Sequence, residues 1–277
     1  MSGCTIVQLT DLHIRPRGVA ANRVAETNML VTRALRAVDR LHPAPDAVII
    51  TGDLTECGLQ PEYALLRELL AAELHLPVFV IPGNHDRREV LLQELAGVSS
   101  SDGFVQYAVE TLPVRLVMLD TVVPGAGHGA LCDRRLDWLD RTLASAPDKP
   151  TMIGMHHPPF ACGIGHMDAI ALQEPERFIA VLARHQQVQR VVCGHHHRPI
   201  IAQIGRAIAT ICPSPAHQVE LDLTDRTPGA FVLEPPAFQI HRWRSETGFV
   251  THTALVDTYP GPFPFLDDPD YPGRTRT

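Results

Sequence analysis

The sequence predicts a layered α/β protein, and two patterns indicate it. Short runs of apolar, mostly β-branched residues alternate with segments whose apolar residues recur at helical spacing. The runs are apolar on both faces, which is typical of strands that helices cover. The chain has 277 residues, of which 45% are hydrophobic and 20% charged, so it can bury a sizeable core.

Strands and helices are predicted to alternate through the first two thirds of the chain. The predicted strands are Thr5–Thr10, Asp46–Thr51, Pro77–Ile81, Phe104–Val109, Arg115–Leu119, Thr151–Met155 and Val188–Cys193. A first helix is expected from Asn22, a suitable N-cap residue, to about Leu41. A second begins with Pro61 in its first turn. Amphipathic spacing predicts two more helices, over Asp133–Leu143 and Pro175–His185.

The pattern changes after Arg198. Short strand-like pieces then alternate with Pro and Gly turns, at Ile200–Ile204, Ala207–Ile211, Ala230–Leu233, Phe238–His241 and Val250–Leu255. We expect a catalytic domain over residues 1–198, a small β-rich cap over 199–256 and an irregular Pro-rich tail over 257–277. An apolar hairpin edge in the cap is a natural pairing surface, so we also expect a homo-oligomer.

Composition and charge exclude several classes of function. The net charge is −7 and the 24 basic residues form no dense run, which argues against binding to a nucleic acid polymer. No Gly-rich loop ends in Lys followed by Ser or Thr, so a P-loop nucleotide site is excluded. We expect no secretory signal, no membrane span and, since the six cysteines form no CxxC pair, a cytoplasmic location.

Five polar motifs follow predicted strands, at their carboxyl ends. They are Asp11-Leu12-His13, Gly52-Asp53, Gly83-Asn84-His85-Asp86, His156-His157-Pro158-Pro159 and Gly194-His195-His196-His197. Strand ends in an open α/β sheet converge on one edge, where ligands bind. Any one motif alone is typical of an ordinary polar turn, but five in succession predict a single site.

The residue types indicate a metal site. Carboxylates and imidazoles together suit Zn, Mn, Fe or Co. Alternate residues of an extended chain point the same way, so Asp11 and His13 can reach one ion, and His195 and His197 can do likewise. Two ions about 3.5–4 Å apart can activate a water for displacement at phosphorus.

Other histidines have plainer interpretations. His196 should point away from its neighbours, and His157 should lie behind His156 without binding the same ion. The remaining histidines without a motif are expected at the surface or as caps: His42, His75, His128, His185, His241 and His252.

In this order the five motifs resemble the signature of the calcineurin-like metallophosphoesterases, over residues 11–197. The chain is most similar to the bacterial branch of class III cyclic nucleotide phosphodiesterases and glycerophosphodiesterases, and the similarity continues through Gly165–Asp168, His217–Val219 and Gly261–Phe263. The resemblance implies a four-layer αββα sandwich of two mixed β-sheets flanked by helices. It also implies a hydrolase of small phosphodiesters that uses a hydroxide bridging two metals.

Residue roles follow from the same resemblance. Asp11, His13 and His197 would hold one metal, and Asn84, His156 and His195 the other. Asp53 would bridge both ions, with Fe or Mn favoured over Zn or Co. His85 would stabilise or protonate the leaving oxygen, a role suited to imidazole. Asn84, His85 and His217 would contact the substrate, and Asp53, Asn84 and His85 are the expected catalytic residues.

Departures from related families narrow the function. Glu56 stands where purple acid phosphatases need a tyrosine ligand, and Asp86 stands where protein phosphatases carry Glu. A DNA nuclease would need a basic face. Two alternatives stay open: a phosphomonoesterase or nucleotidase, and a non-catalytic metal-binding scaffold.

Overall fold

Two mixed β-sheets stack face to face, with helices on their outer sides, in a computed structural model that describes residues 3–224 and 228–265. The first sheet has the strand order β13-β12-β1-β2-β3. Its strands are β1 (Gly3–Leu9), β2 (Ala47–Thr51), β3 (Val78–Ile81), β12 (Ala237–Arg244) and β13 (Gly248–Leu255). In this sheet β1, β2 and β3 run parallel, and the β12–β13 hairpin adds antiparallel to β1.

The second sheet has the order β4-β5-β6-β7-β9-β8. Its strands are β4 (Tyr107–Val109), β5 (Arg115–Leu119), β6 (Thr151–Met155), β7 (Val188–Cys193), β8 (Ile200–Ile204) and β9 (Ala207–Ile211). The four inner strands are parallel, whereas β4 and β8 pair antiparallel at the two edges. A separate two-stranded ribbon joins β10 (Gln218–Val219) to β11 (Phe231–Val232).

The described residues form six helices. They are α1 (Thr27–Asp39), α2 (Gln60–Glu73), α3 (Arg88–Glu94), α4 (Asp133–Ala144), α5 (Gly165–Asp168) and α6 (Pro175–Leu182). Among the residues described, no helix combines the length and the apolar character needed to cross a bilayer.

Three apolar clusters define the layers. One joins α1 and α2 to the first sheet, through residues such as Leu35 and Leu66. Another joins α4 and α6 to the second sheet, through residues such as Leu139 and Phe178. The third lies between the sheets, where Ile49 of β2 shares a cluster with residues of the opposite sheet. The predicted αββα sandwich of two mixed sheets is therefore confirmed.

The predicted start of the first helix is wrong. The helix begins at Thr27, because Asn22 and Arg23 have φ angles of 48° and 60°, outside the helical region. Val24, which falls inside the predicted helix, precedes the observed one and is 57% exposed. The strand predicted at Phe104 begins only at Tyr107, and the helices α3 and α5 had no sequence prediction.

The strands after Arg198 mostly join the two large sheets. The strands β8 and β9 extend the second sheet and β12 and β13 complete the first, so that within residues 3–224 and 228–265 the β10–β11 ribbon is the one pair outside both sheets. Short strands separated by turns are equally suited to sheet edges, and β12 alternates buried with less buried residues as an edge-proximal strand should. The division into domains at residues 198 and 256 stays a prediction, and the tail beyond 265 lies outside the described residues.

Candidate metal centre

Loops from both sheets meet at one site. The motifs beginning at Asp11, Gly52 and Gly83 follow β1, β2 and β3 of the first sheet. Those beginning at His156 and Gly194 follow β6 and β7 of the second. Because all five strands point their carboxyl ends to the same side, the loops converge as the sequence predicts.

The backbone is strained where the predicted ligands lie. The φ angles are positive, between 46° and 71°, at Asp11, His13, Asp53, His195 and His197. Each such angle costs a non-glycine residue on the order of 1 kcal/mol. Strain concentrated at five of the seven predicted ligands is typical of a functional site, where surrounding contacts hold the backbone in place.

One half of the site brings two imidazoles onto two carboxylates. His13 Nε2 lies 3.2 Å from His197 Nε2 and 3.8 Å from Asp53 Oδ2. His197 Nε2 also lies 3.3 Å from Asp11 Oδ1. The four side chains are buried, and their ligand atoms all lie within 4.8 Å of one another.

Outer hydrogen bonds fix both rings. His13 Nδ1 donates to Glu56 Oε2 at 2.6 Å, and His197 Nδ1 donates to the backbone carbonyl of His217 at 2.8 Å. In the neutral tautomers these bonds require, both Nε2 atoms carry lone pairs that face each other. Two lone pairs at this distance repel unless a cation or a proton lies between them. The donor set therefore fits a metal ion.

The other half of the site has the same construction. His156 Nδ1 donates to the carbonyl of Thr51 at 2.8 Å, so Nε2 faces Asn84 Oδ1 at 3.1 Å and Asp53 Oδ2 at 3.4 Å. His195 Nε2 donates to the carbonyl of Ile170 at 3.1 Å and leaves Nδ1 as its free ligand atom. Asp53 thus contacts histidines of both halves, which is the position of a bridging carboxylate.

The carboxylates of the site favour positive charge in their neighbours. Burial by itself raises the pKa of Asp53. His156 and the other neighbouring histidines lower it by more, so the pKa lies well below its ordinary value. Burial lowers the pKa of His156, yet the Asp53 carboxylate outweighs it and the pKa rises to about 9. Buried carboxylates that hold imidazoles protonated would stabilise bound cations in the same way.

Two glycines allow the loops to approach this closely. A Cβ on Gly83 would lie 2.2 Å from Asp53 Oδ1, and one on Gly194 would lie 2.0 Å from Thr10 Oγ1. Any larger residue would displace the ligand loops.

The seven predicted ligands, Asp11, His13, Asp53, Asn84, His156, His195 and His197, are called the cage from here on. His85 and His217, which are expected to contact the substrate, lie next to the cage. His85 Nδ1 donates to the carbonyl of Glu56 at 2.7 Å, and its side chain is 38% exposed at a cleft that Asn84 also lines. His217 is buried, and its ring packs 4.7 Å from the His197 ring and 5.1 Å from the His13 ring. Its Nδ1 has no hydrogen-bond partner among the described residues.

His157 lies behind the cage, as the sequence predicts. Its Nδ1 accepts a hydrogen bond from the Thr121 hydroxyl at 2.8 Å, and its Nε2 donates to the carbonyl of Gly127 at 3.1 Å. Both nitrogens are therefore engaged with protein, although the ring neighbours His156 and His195.

Sequence reasoning missed two residues that build the site. Glu56 holds His13 through its carboxylate and His85 through its backbone carbonyl. The buried Asp86 accepts hydrogen bonds from the backbone amides of Leu54, Thr55 and Gly83 and from two hydroxyls. It thereby joins the loops that follow β2 and β3. Its place at the end of the Gly-Asn-His-Asp motif was the available signal.

Comparison with known proteins gives consistent matches. A family model described as calcineurin-like phosphoesterase matches residues 4–199. A protein of Arcobacter nitrofigilis named probable glycerophosphodiester phosphodiesterase GpdQ is 36% identical over 266 residues, 95% of this chain and 97% of that protein. The 3',5'-cyclic adenosine monophosphate phosphodiesterase CpdA of Pseudomonas aeruginosa is 31% identical over 222 residues, 80% of each chain.

A solved structure shows the same fold. The crystal structure of a dimetal phosphatase from Danio rerio superposes with a TM-score of 0.62 at 16% identity, over 92% of this chain and 99% of that one. At this identity, the likeness concerns the arrangement of sheets and helices alone.

Proposed function

The chain belongs to the calcineurin-like phosphoesterase family and is a metal-dependent phosphodiesterase, and from that premise we propose that it hydrolyses 3',5'-cyclic nucleotides or glycerophosphodiesters. The observation that carries the proposal is the position of Asp53, whose Oδ2 lies 3.8 Å from His13 Nε2 and 3.4 Å from His156 Nε2. Relatives named for each of the two substrate classes match most of the chain. A monoesterase or nucleotidase is not favoured, and neither is a non-catalytic scaffold.

Histidines and carboxylates of the site form a centre for divalent metal ions. We assign Asp11, His13 and His197 to one ion, Asn84, His156 and His195 to the other, and Asp53 to both. Bound there, two cations would lower the pKa of a water and stabilise the charge that develops on the phosphate. Iron or manganese is our favoured identity for the pair, with zinc or cobalt as the other candidates.

The protein's own groups prepare this chemistry. The carbonyls of Thr51, Ile170 and His217 set the tautomers of three ligand histidines. The carbonyl of Glu56 binds the Nδ1 proton of His85. Burial lowers the pKa of His85, but the Asp53 carboxylate and the Glu56 carbonyl outweigh it and raise the pKa, which favours the imidazolium form. In that form Nε2 carries a second proton, which it can give to the leaving alcohol. Asn84, which lines the same cleft as His85, and His217, whose ring packs against those of His13 and His197, complete the substrate contacts in our proposal.

Location and assembly belong to the same proposal. We place the enzyme in the cytoplasm, where cyclic nucleotides and small phosphodiesters would be its partners, with neither a membrane nor a nucleic acid polymer involved. We also propose a homo-oligomer, which exposed leucines at positions 221, 223 and 233 around the β10–β11 ribbon support.

A substrate panel tests the function. Metal-depleted protein is reconstituted with Mn²⁺, Fe²⁺, Co²⁺ or Zn²⁺ and assayed on cyclic AMP, glycerophosphoethanolamine and bis(p-nitrophenyl) phosphate. The monoester p-nitrophenyl phosphate serves as the comparison. We expect faster turnover of the diesters than of the monoester, and none after the change Asp53→Ala.

Two outcomes would contradict the proposal. Preference for the monoester with every metal would favour a phosphomonoesterase. Full metal loading with no turnover of any substrate would favour the scaffold.

A further inference from the structure

A second group of metal-ligand side chains lies apart from the candidate centre. It consists of Cys162, Asp168 and His196, whose ligand atoms all lie within 4.8 Å of one another. His196 sits between two assigned ligands in sequence, but its ring turns away from theirs toward Asp168, with its Nε2 3.8 Å from Asp168 Oδ1. The group therefore faces a different space from the two-metal site.

His196 is the residue that needs an explanation. It is fully buried, and neither ring nitrogen has a hydrogen-bond partner among the described residues. Buried imidazole nitrogens are normally bonded, since an unsatisfied polar group in the interior is destabilising. Cys162 and Asp168 are only partly buried, so an ion can reach the group from solvent on their side.

Asp168 is held in position as metal-binding carboxylates usually are. Its two oxygens accept hydrogen bonds from the backbone amides of Cys162 and Gly163, each at 2.8 Å. Each oxygen keeps a further lone pair, so the carboxylate is oriented and still able to bind a cation. The same two bonds fix the loop that carries the Cys162 side chain.

We propose that Cys162, Asp168 and His196 form a third metal site, specific for a single zinc-like divalent cation. Thiolate sulfur, carboxylate oxygen and imidazole nitrogen are each zinc ligands, and three protein ligands leave a fourth position for water. At metal–ligand distances of about 2.1 Å, tetrahedral geometry places nitrogen and oxygen about 3.4 Å apart. The observed 3.8 Å between His196 and Asp168 needs only a small closure to reach that geometry.

The thiolate provides a signature that separates this site from the catalytic one. The seven ligands assigned to the two-metal centre are Asp, Asn and His, with no sulfur among them. Cobalt(II) bound by a thiolate absorbs in the near ultraviolet by charge transfer from sulfur to metal, whereas cobalt bound by nitrogen and oxygen alone does not. Titration of the metal-depleted full-length protein with Co²⁺ therefore reports on the third site directly, independently of turnover.

The expected result is a charge-transfer band whose final intensity corresponds to one thiolate-bound cobalt per chain, with one more metal bound per chain than in Cys162→Ser. The change Cys162→Ser should abolish the band, because serine preserves the backbone contact to Asp168 and removes only the sulfur. His196→Asn should weaken Co²⁺ binding at this site at least 10-fold. Cys132→Ser is the matched control, a partly buried cysteine outside the group, and should leave the band unchanged. Circular dichroism verifies that each variant is folded.

Three results would overturn the proposal. They are a wild-type protein without the band, a band that survives Cys162→Ser, and a band that is lost instead in Cys57→Ser, whose exposed thiol adjoins Glu56.

Discussion

At the scale of single residues, Glu56 connects two histidines with different tasks. Its carboxylate receives the His13 proton at 2.6 Å, while its backbone carbonyl receives that of His85 at 2.7 Å. Removing the side chain frees only the first ring. Metal ligation and proton donation can therefore be perturbed separately.

Truncation of Glu56 should weaken metal binding. We expect Glu56→Ala to lower metal affinity by about 10–100-fold, because His13 loses the partner that orients it. Glu56→Gln retains an acceptor and should fall between Glu56→Ala and wild type. Calorimetric titration with Mn²⁺ measures the affinity, with Glu68→Ala at an exposed ion pair as the control. Equal affinities in Glu56→Ala and wild type would reject the orienting role.

Truncation of His85 should affect turnover and leave metal binding intact. We expect His85→Ala to reduce turnover of an unactivated diester by roughly 10²–10⁴-fold, the usual contribution of a general acid. The loss should be smaller for bis(p-nitrophenyl) phosphate, whose leaving group needs little protonation. Parallel rate measurements and metal analysis test this. Identical losses on both diesters would show that His85 does not act as the acid.

The sequence predicts the residues of the cage better than those that support it. Side chains such as Asp11 and His195 directly follow strands, so their meeting at one edge follows from the fold class. The contact between Glu56 and His13 depends on how two loops lie against each other, which neither periodicity nor spacing specifies. The roles of Asp86 were hidden for the same reason.

At the scale of elements, the turn after β7 is packed too closely for a side chain at Gly194. A Cβ on Gly194 would meet Thr10, Asp11 and the carbonyl of Thr51 within 2.9 Å. We expect Gly194→Ala to cost about 1–3 kcal/mol of unfolding free energy and to weaken metal binding. Urea unfolding and metal titration measure the two effects. Gly3→Ala, whose Cβ would meet nothing closer than 3.4 Å, is the control; a loss as large there would reject the steric explanation.

The strand β12 buries His241, so its expected position at the surface or as a cap is wrong. This buried histidine should make stability depend on pH. His241 Nε2 donates to Gln8 Oε1 at 3.1 Å, and its Nδ1 accepts from the Thr251 hydroxyl at 2.9 Å. Burial, with a smaller effect of Arg190, lowers its pKa to about 3. The folded state keeps this ring neutral while the unfolded chain takes up a proton below about pH 6.5. The contribution to stability is thus complete above pH 6.5 and is lost as the pH falls toward 3.

The loss should amount to about 1.4 kcal/mol per pH unit below 6.5. Urea unfolding of metal-depleted protein at pH 7.5 and 5.0 should therefore show about 2 kcal/mol more acid destabilisation in wild type than in His241→Gln. The change His252→Gln, at an exposed position of β13, should leave the wild-type difference unaltered. Equal pH dependence in wild type and His241→Gln would contradict the assignment.

Elements were predictable where the chain is buried on both faces. The bounds of β5, β6 and β7 agree with the predicted strands residue for residue, because buried apolar residues make up most of each run. The start of α1 and the placement of β8 and β12 were not predictable. These features depend on tertiary partners. For the two strands, an alternating pattern is as compatible with a cap as with the edge of a sheet.

At the scale of the whole molecule, we expect self-association. Leu223 and Leu233 are 67% and 59% exposed, beside the small β10–β11 ribbon, and an exposed apolar surface is stabilised by covering it. Light scattering at micromolar concentration should give a mass above one chain. Combined Leu223→Asp and Leu233→Asp changes should lower that mass, whereas Val24→Asp, at an exposed valine ahead of α1, should not. A monomeric wild type would reject the prediction.

The position of β1 inside the first sheet has a consequence for synthesis. This strand is made before both of its partners: it pairs on one side with β2, and on the other with β12, which begins at residue 237. A nascent chain that has already acquired the last cage histidine, at position 197, still presents one unpaired ladder of β1 to its surroundings. Ribosome-bound intermediates of that length would need a chaperone to shield this ladder until the closing hairpin emerges.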